Sequence, residues 1–198
     1  MKITLLDINK NMTDAWSKYF ENIENVEIVH NYFSNFMDEH QDVDAIVSPA
    51  NSFGLMDGGY DKAITDYFGK ELMKEVQKDI LLRWYGEQPV GTSMSIPIKN
   101  KIINGRYALL IHTPSMRTPE VIKDSRIIYQ CMRTTLIEAI RQNVHHVVIP
   151  AFGGATGRVS YDEIAKKMYL AYKQIFNTPS DLNWGYALYI AKSLKQDN

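Results

Sequence analysis

The sequence predicts an α/β domain built on a mainly parallel sheet covered by helices on both faces. Three observations carry this. Strand-like apolar runs alternate with helix-patterned segments along the chain. One run, Ala108 to Ile111, is apolar at every position, as a strand with both faces covered should be. Two other runs lead directly into glycine-bearing loops that open into helices, and in such sheets ligands sit beyond the carboxyl ends of the strands.

Taken in order, residues 2 to 7 read as a strand, followed by a helix capped by Asn11 or Thr13 with Trp16, Tyr19, Phe20 and Ile23 on its apolar face. Val26 to His30 reads as a second strand, then a short irregular segment, then a third strand from Asp44 to Val47. Ala63, Ile64, Tyr67 and Phe68 open a helical pattern that breaks at Gly69 and resumes through Leu72, Met73, Val76, Ile80 and Leu81, giving one broken helical arm. Val90 to Ile98 and Arg106 to Thr113 read as strands, and the segment Pro114 to Pro119, with a proline at each end, as an irregular loop leaving the sheet edge. Asp124 or Ser125 begins a long helix with Tyr129, Met132, Leu136, Ala139 and Ile140 on one stripe. A strand from His146 to Ile149 feeds the second glycine loop. Ser160 with Glu163 three residues later forms a capping box for the next helix, whose buried face is Ile164, Met168, Ala171 and Ile175. Gly185 to Ala191 reads as a closing strand.

The 198 residues fit a single domain over 1–198, with no repeat, low-complexity tract or linker. A formal net charge of -1 supplies no general pull toward nucleic acid or an acidic membrane, so an anionic ligand must be held locally. The lone cysteine, Cys131, excludes an intrachain disulfide and a multi-cysteine zinc site. The first apolar run is too short for a signal peptide, and no stretch approaches membrane-spanning length; a cytoplasmic protein is expected, with no direct nucleic-acid binding.

The two glycine loops hold the candidate site. The first runs from Pro49 to the helix that begins near Gly59, with Asn51 at one end and Asp61 at the other; the second is Phe152-Gly-Gly-Ala-Thr-Gly-Arg-Val159. A strand feeding a glycine loop at a helix start gathers unpaired N–H groups and the positive helix end around one point. Glycine lets the backbone approach a diphosphate closely, and two loops supply donors from two directions. Neither loop matches G-x-G-x-x-G or G-x-x-x-x-G-K-[ST], which disfavours a Rossmann dehydrogenase and a nucleotide triphosphatase. The plainer reading of the first loop is a strand-to-helix turn in which Asn51 bonds its own backbone.

In order and spacing these residues resemble the macro domain family. Its stretch of Asp-Ala-Ile-Val, Asn-Ala-Ala-Asn, a glycine loop, Gly-Gly-Val-Asp and Ala-Ile stands here as Asp44-Ala-Ile-Val47, Ser48-Pro-Ala-Asn51, Gly58-Gly-Tyr-Asp61 and Ala63-Ile64. Ile111-His-Thr-Pro114 is similar to the family's Ile-His-Thr, and Ile149-Pro-Ala-Phe-Gly-Gly-Ala-Thr-Gly157 to its Pro-Ala-Ile-Gly-Thr-Gly loop. The resemblance covers roughly residues 26 to 176. It implies a three-layer α/β/α sandwich with a mixed, mainly parallel sheet and a pocket for ADP-ribose or an ADP-ribosylated substrate, without a cofactor or metal. Asn51 and Gly58, Gly59, Tyr60 and Asp61 would hold the distal ribose, and Gly153, Gly154, Ala155, Thr156, Gly157 and Arg158 the diphosphate. In members that remove ADP-ribose from proteins, the Asp after the glycines orients or activates a water, which here is Asp61 together with Asn51. A reader without turnover, and a phosphatase of phosphorylated ADP-ribose, are the alternatives.

Two positions depart from the family pattern. Where many members carry a Gly-Asp-Ile whose Asp bonds the adenine amino group, this chain has Asn31-Tyr32-Phe33, so Asn31 is the expected base partner and Tyr32 or Phe33 the stacking residue. Asp57 beside a diphosphate would repel it; either it points away from the pocket or the ligand differs from plain ADP-ribose.

Of the remaining conspicuous residues, His145 and His146 are adjacent on a strand and cannot share a metal. His112 reads as a hydrogen-bonded structural histidine. Arg158 is a better phosphate candidate than Arg117. Trp16, Trp84 and Trp184 read as core or partly buried residues, and Cys131 as a buried small hydrophobe.

Overall fold

A computed structural model of the chain describes residues 1–195. Six strands form one sheet: β1 (Lys2–Asp7), β2 (Val26–His30), β3 (Ala45–Ser48), β4 (Met94–Ile103), β5 (Arg106–His112) and β6 (His146–Ile149). Seven helices surround it: α1 (Lys10–Phe20), α2 (Phe33–Glu39), α3 (Gly59–Phe68), α4 (Glu71–Trp84), α5 (Arg126–Arg141), α6 (Tyr161–Phe176) and α7 (Trp184–Ser193). The strand order is β2-β1-β6-β3-β5-β4, with every pair parallel except β4 against β5. The mixed, mainly parallel sheet expected from the sequence is present.

Alternation along the strands sends side chains to two separate cores. Ile3, Leu5, Ala45, Val47, Val147 and Ile149 pack under α1, α5 and α6, where Trp16, Phe20, Leu136 and Met168 are buried. Leu6, Ile46, Leu110 and Val148 face the other way, against Phe36 of α2, Ile64 and Phe68 of α3, and Val76 and Ile80 of α4. The result is three layers. Because both faces of the central strands are covered, β3 and β6 are buried at every position, which explains the apolar runs Ala45 to Val47 and Val147 to Ile149 within them.

Several elements differ from the sequence reading, each for an identifiable reason. Residues 33–39 form α2 rather than an irregular segment, because Phe33, Phe36 and Met37 recur at helical spacing and all three are buried. Strand β4 runs to Ile103 instead of stopping at Ile98. It is one arm of a hairpin whose two-residue turn, Asn104-Gly105, has positive φ at both positions (51° and 80°), the backbone that joins antiparallel strands tightly. The expected closing strand at 185–191 is helix α7, started by the Asn183 side chain accepting a hydrogen bond from the Tyr186 N–H. Trp184, expected in or near the core, is 82% exposed on that helix. Leu81 and Ile140 lie outside the buried stripes of their helices. Trp16 is fully buried, Ser160 caps α6 through the Glu163 N–H, and Gly69 breaks the arm into α3 and α4, all as expected.

At the end of the sheet opposite the glycine loops, Asp44 fastens three strands. Its carboxylate accepts from the N–H groups of His145 (3.0 Å) and His146 (2.8 Å) and from the Arg106 guanidinium (2.6 Å). Burial pushes its proton affinity up, but these donors outweigh burial and hold the carboxyl below its ordinary value. A carboxyl with a depressed folded pKa stabilises the fold above its unfolded pKa, and that contribution disappears as pH falls through the folded value. Asp44→Ala is therefore expected to cost about 2–3 kcal/mol in urea unfolding at neutral pH, since it leaves buried donors without an acceptor. The difference from the parent protein should shrink at acid pH, where both states are protonated.

Candidate functional site

Parallel pairing of β3 with both β6 and β5 brings the carboxyl ends of these strands to one edge of the sheet. The loops that follow them surround a cleft of about 640 Å³, within the usual range for a small-molecule site. Its wall includes Pro49 to Asn51 and Leu55 from the first loop, Asp57 to Asp61 at the start of α3, and Gly153 to Thr156 from the second loop. The ends of β1 and β2 add Asp7, Ile8, Asn9, Asn31, Tyr32 and Phe33. A second hollow, about 160 Å³ among α5, α6 and α7, contains no residue singled out from the sequence except Tyr129, a helix-stripe position.

The first loop is a stiff structure. The chain after β5 runs alongside it and extends the sheet pairing: the Ser115 N–H donates to the Ala50 carbonyl, the Ser52 N–H to the Arg117 carbonyl, and the Ser115 hydroxyl to the Pro49 carbonyl. The Asn51 carboxamide is engaged at both ends within its own loop. Its oxygen accepts from the N–H groups of Phe53 and Leu55, and its nitrogen donates to the Leu55 carbonyl. The side chain that the sequence marks as a ribose anchor thus shapes the wall of the cleft.

The amides that face the ligand space are unpaired. Helices α1, α6 and α7 are each capped by a side chain, whereas α3 has Gly58 at its N-cap and no side-chain cap. Among the described residues, the N–H groups of Gly59, Tyr60 and Asp61 have no protein acceptor, and neither do those of Gly154, Ala155 and Thr156. The second loop closes on itself through Val159 N–H to the Gly153 carbonyl and Arg158 N–H to the Ala155 carbonyl. A Cβ at Gly157 would sit 2.6 Å from the Gly153 carbonyl oxygen, so only glycine lets this loop turn so tightly. Gly157 and Arg158 are not part of the cleft wall. Arg158 has a φ of 54° and faces solvent, and Arg117 forms a two-pronged pair with Glu87.

Asp61 is the chemically distinctive group. It stands in the first turn of α3, 8% exposed, with one carboxyl oxygen accepting a 2.7 Å hydrogen bond from the Ser48 hydroxyl at the end of β3. Burial drives its pKa up to about 7 against the lowering effect of Ser48. The neighbouring Tyr60 hydroxyl is buried without a hydrogen-bond partner among the described residues, and burial together with Asp7 and Asp61 pushes its ionisation well up. His112 lies outside the cleft: fully buried, it pairs with the Gln88 side chain at 2.6 Å, and burial lowers its pKa to about 3, consistent with a structural role. Cys131 is buried and burial pushes its thiol up, which suits a small hydrophobe. Among the described residues no three His, Cys, Asp or Glu side chains cluster to hold a metal ion.

With this geometry established, residues 47–168, more than half the chain, match the family described as Macro domain. The chain belongs to the macro domain family. An uncharacterized protein of Aquifex aeolicus is 29% identical over 127 residues, covering 64% of this chain and 71% of that one. Among solved structures, an Oceanobacillus iheyensis macrodomain mutant with ADPR superposes with a TM-score of 0.58 at 20% identity, over 70% of this chain and 73% of that chain. A Trypanosoma brucei macrodomain in complex with ADP gives 0.57 at 13% identity, over 98% and 69%. The macrodomain of Mycobacterium tuberculosis DarG gives 0.56 at 16%, over 68% and 84%. At these identities the likeness establishes the α/β macro fold. Among the described residues no helix is long and apolar enough to cross a membrane.

The sequence did not identify Asp7, Asn9 and Tyr161 as parts of the cleft of this macro domain. Asn9 donates to the Tyr161 hydroxyl at 2.6 Å, joining the end of β1 to the start of α6. Only the position of β1 next to β6 brings these groups to the site.

A raised carboxyl pKa makes Asp61 a liability for stability. Stability falls as pH rises from about 4 to about 7, because the folded state keeps a proton that the unfolded state releases. Asp61→Asn keeps an acceptor for Ser48 and removes the charge. It should stabilise the protein by up to about 4 kcal/mol at pH 8 and by almost nothing near pH 3, read by urea unfolding at both values. Equal effects at the two pH values would show that the carboxyl is not desolvated in the folded state.

Proposed function

We propose that this macro domain binds ADP-ribose or a close derivative and hydrolyses an ADP-ribosyl linkage, with Asp61 as the group that orients and deprotonates the attacking water. The observation that carries this reading is the Asp61 carboxyl: it lines the cleft, is held by Ser48, and has a pKa of about 7, close to the ideal for a general base at neutral pH. The diphosphate would lie between the unpaired amides of the second loop and the first turn of α3, leaving the distal ribose beside Asp61. In this reading Asn51 fixes the loop against that ribose, and Asn31 and Tyr32 stand at the base end. Two of the similar macrodomains are described with ADPR or ADP, which supports the ligand class. Binding affinity gathered along the nucleotide would position the reacting carbon against the water.

Two measurements test this. In calorimetry ADP-ribose should bind more tightly than ADP; equal affinities would remove the distal ribose from the Asp57–Asp61 end of the cleft. Against peptides ADP-ribosylated through carboxylate, hydroxyl or guanidinium side chains, at least one linkage should be released, with a rate that rises through an apparent pKa near 7 and falls by about 10²–10⁴ in Asp61→Asn. Binding without release of any peptide would make the protein a reader, and release that persists in Asp61→Asn would exclude Asp61 as the base.

A further inference from the structure

The charge inventory of the cleft is unusual for a site that takes a diphosphate. Asp7, Asp57 and Asp61 all line it, while among the described residues no lysine, arginine or histidine does. Arg158, the cation expected beside the phosphates, is exposed and not part of the wall, and Arg117 is committed to Glu87. The nearby Lys62 pairs with Asp66. Backbone amides can hold the phosphate oxygens, but nothing in the wall offsets the carboxylates around them.

The distribution of these carboxylates is informative. Asp57 and Asp61 flank the start of α3, the end of the cleft assigned to the distal ribose. Among the described residues Asp57 makes no ion pair or hydrogen bond, and only one oxygen of Asp61 has a partner, Ser48. The Tyr60 hydroxyl, close enough to Asp7 and Asp61 to feel both charges, is buried with no hydrogen-bond partner among the described residues, an independent sign that the cleft is built for a polar ligand group. Space is available, since a Cβ added at Gly58 or Gly59 would meet nothing within 4 Å.

We infer that the ligand of this cleft is an ADP-ribosyl compound whose distal ribose carries a cationic substituent, with Asp57 and Asp61 facing the positive charge and the Tyr60 hydroxyl bonding the ligand beside it. This rests on the ADP-ribose reading and narrows it. A negatively charged or neutral substituent gains nothing from Asp57; a pyridinium, guanidinium or ammonium group balances the diphosphate and the wall together. Two sources share this chemistry: a free dinucleotide with a pyridinium ring, and an ADP-ribosyl group attached to an arginine guanidinium.

NAD⁺ and NADH separate charge from shape, since they differ chiefly by the positive charge on the ring attached to the distal ribose. In calorimetry at low ionic strength the protein should bind NAD⁺ about five- to tenfold more tightly than NADH. Asp57→Asn, a substitution at an exposed position, should reduce that preference to about twofold or less, and added salt should weaken it in the parent protein. A parallel arm compares peptides ADP-ribosylated on arginine and on serine. Preference for NAD⁺ identifies the free dinucleotide as a source, and preference for the arginine-linked peptide identifies the modified protein. Equal affinity within both pairs, or a preference that survives Asp57→Asn unchanged, overturns the inference while leaving ADP-ribose binding intact. Failure of plain ADP-ribose to bind at all would instead remove the reading on which it stands.

Discussion

The parallel pairing of β3 with β6 is the constraint on which the rest of the structure depends. Parallel strands point the same way, so the loops that leave them emerge at one edge, side by side. Here those are the two glycine loops, and both arrive with N–H groups that have no acceptor among the described residues. A helix whose first turn is uncapped and a loop closed tightly on itself by glycine make the same offer from two directions. The sandwich around them exists to keep β3 and β6 buried and therefore fixed in register. Asp44 contributes from the far end by tying β3 to the start of β6 and, through Arg106, to β5.

Rigidity at the site comes from an unexpected quarter. The proline-bounded stretch after β5 belongs to no helix or strand, yet it continues the β3–β5 pairing by hydrogen-bonding along the first loop. Asn51 completes the job by spending its carboxamide on that loop. A wall built this way needs little rearrangement when a ligand enters, which lowers the ordering cost of binding. Asp61 has the opposite character. Its burial pushes its pKa up to about 7 and costs stability at neutral pH, a strain the fold carries at the wall of the cleft.

Much of this was legible in the residues. The buried strands, the capping box at Ser160, the break at Gly69 and both glycine loops declared themselves through local pattern, because periodicity and backbone freedom are local properties. Helix α7 did not. Its run of aromatic and aliphatic residues suits a strand, and the Asn183 cap is the local feature that decides for helix. The Asn104-Gly105 turn that closes the β4–β5 hairpin is a local signal too, an Asn-Gly pair with positive φ at both positions. Asp7 and Tyr161 were beyond reach, since their place in the cleft depends on β1 lying next to β6, which no local pattern encodes. The same holds for Asp61: its position after the glycines is visible in the sequence, whereas its desolvation and its bond to Ser48 belong to the folded state.

The central claim, that the two loops act together as one anion cradle, is tested most directly by amide NMR during titration with ADP-ribose. The account predicts that resonances of Gly59 to Asp61 and of Gly154 to Thr156 shift together, with one saturation curve. Shifts confined to a single loop, or centred on the hollow among α5, α6 and α7, would contradict it.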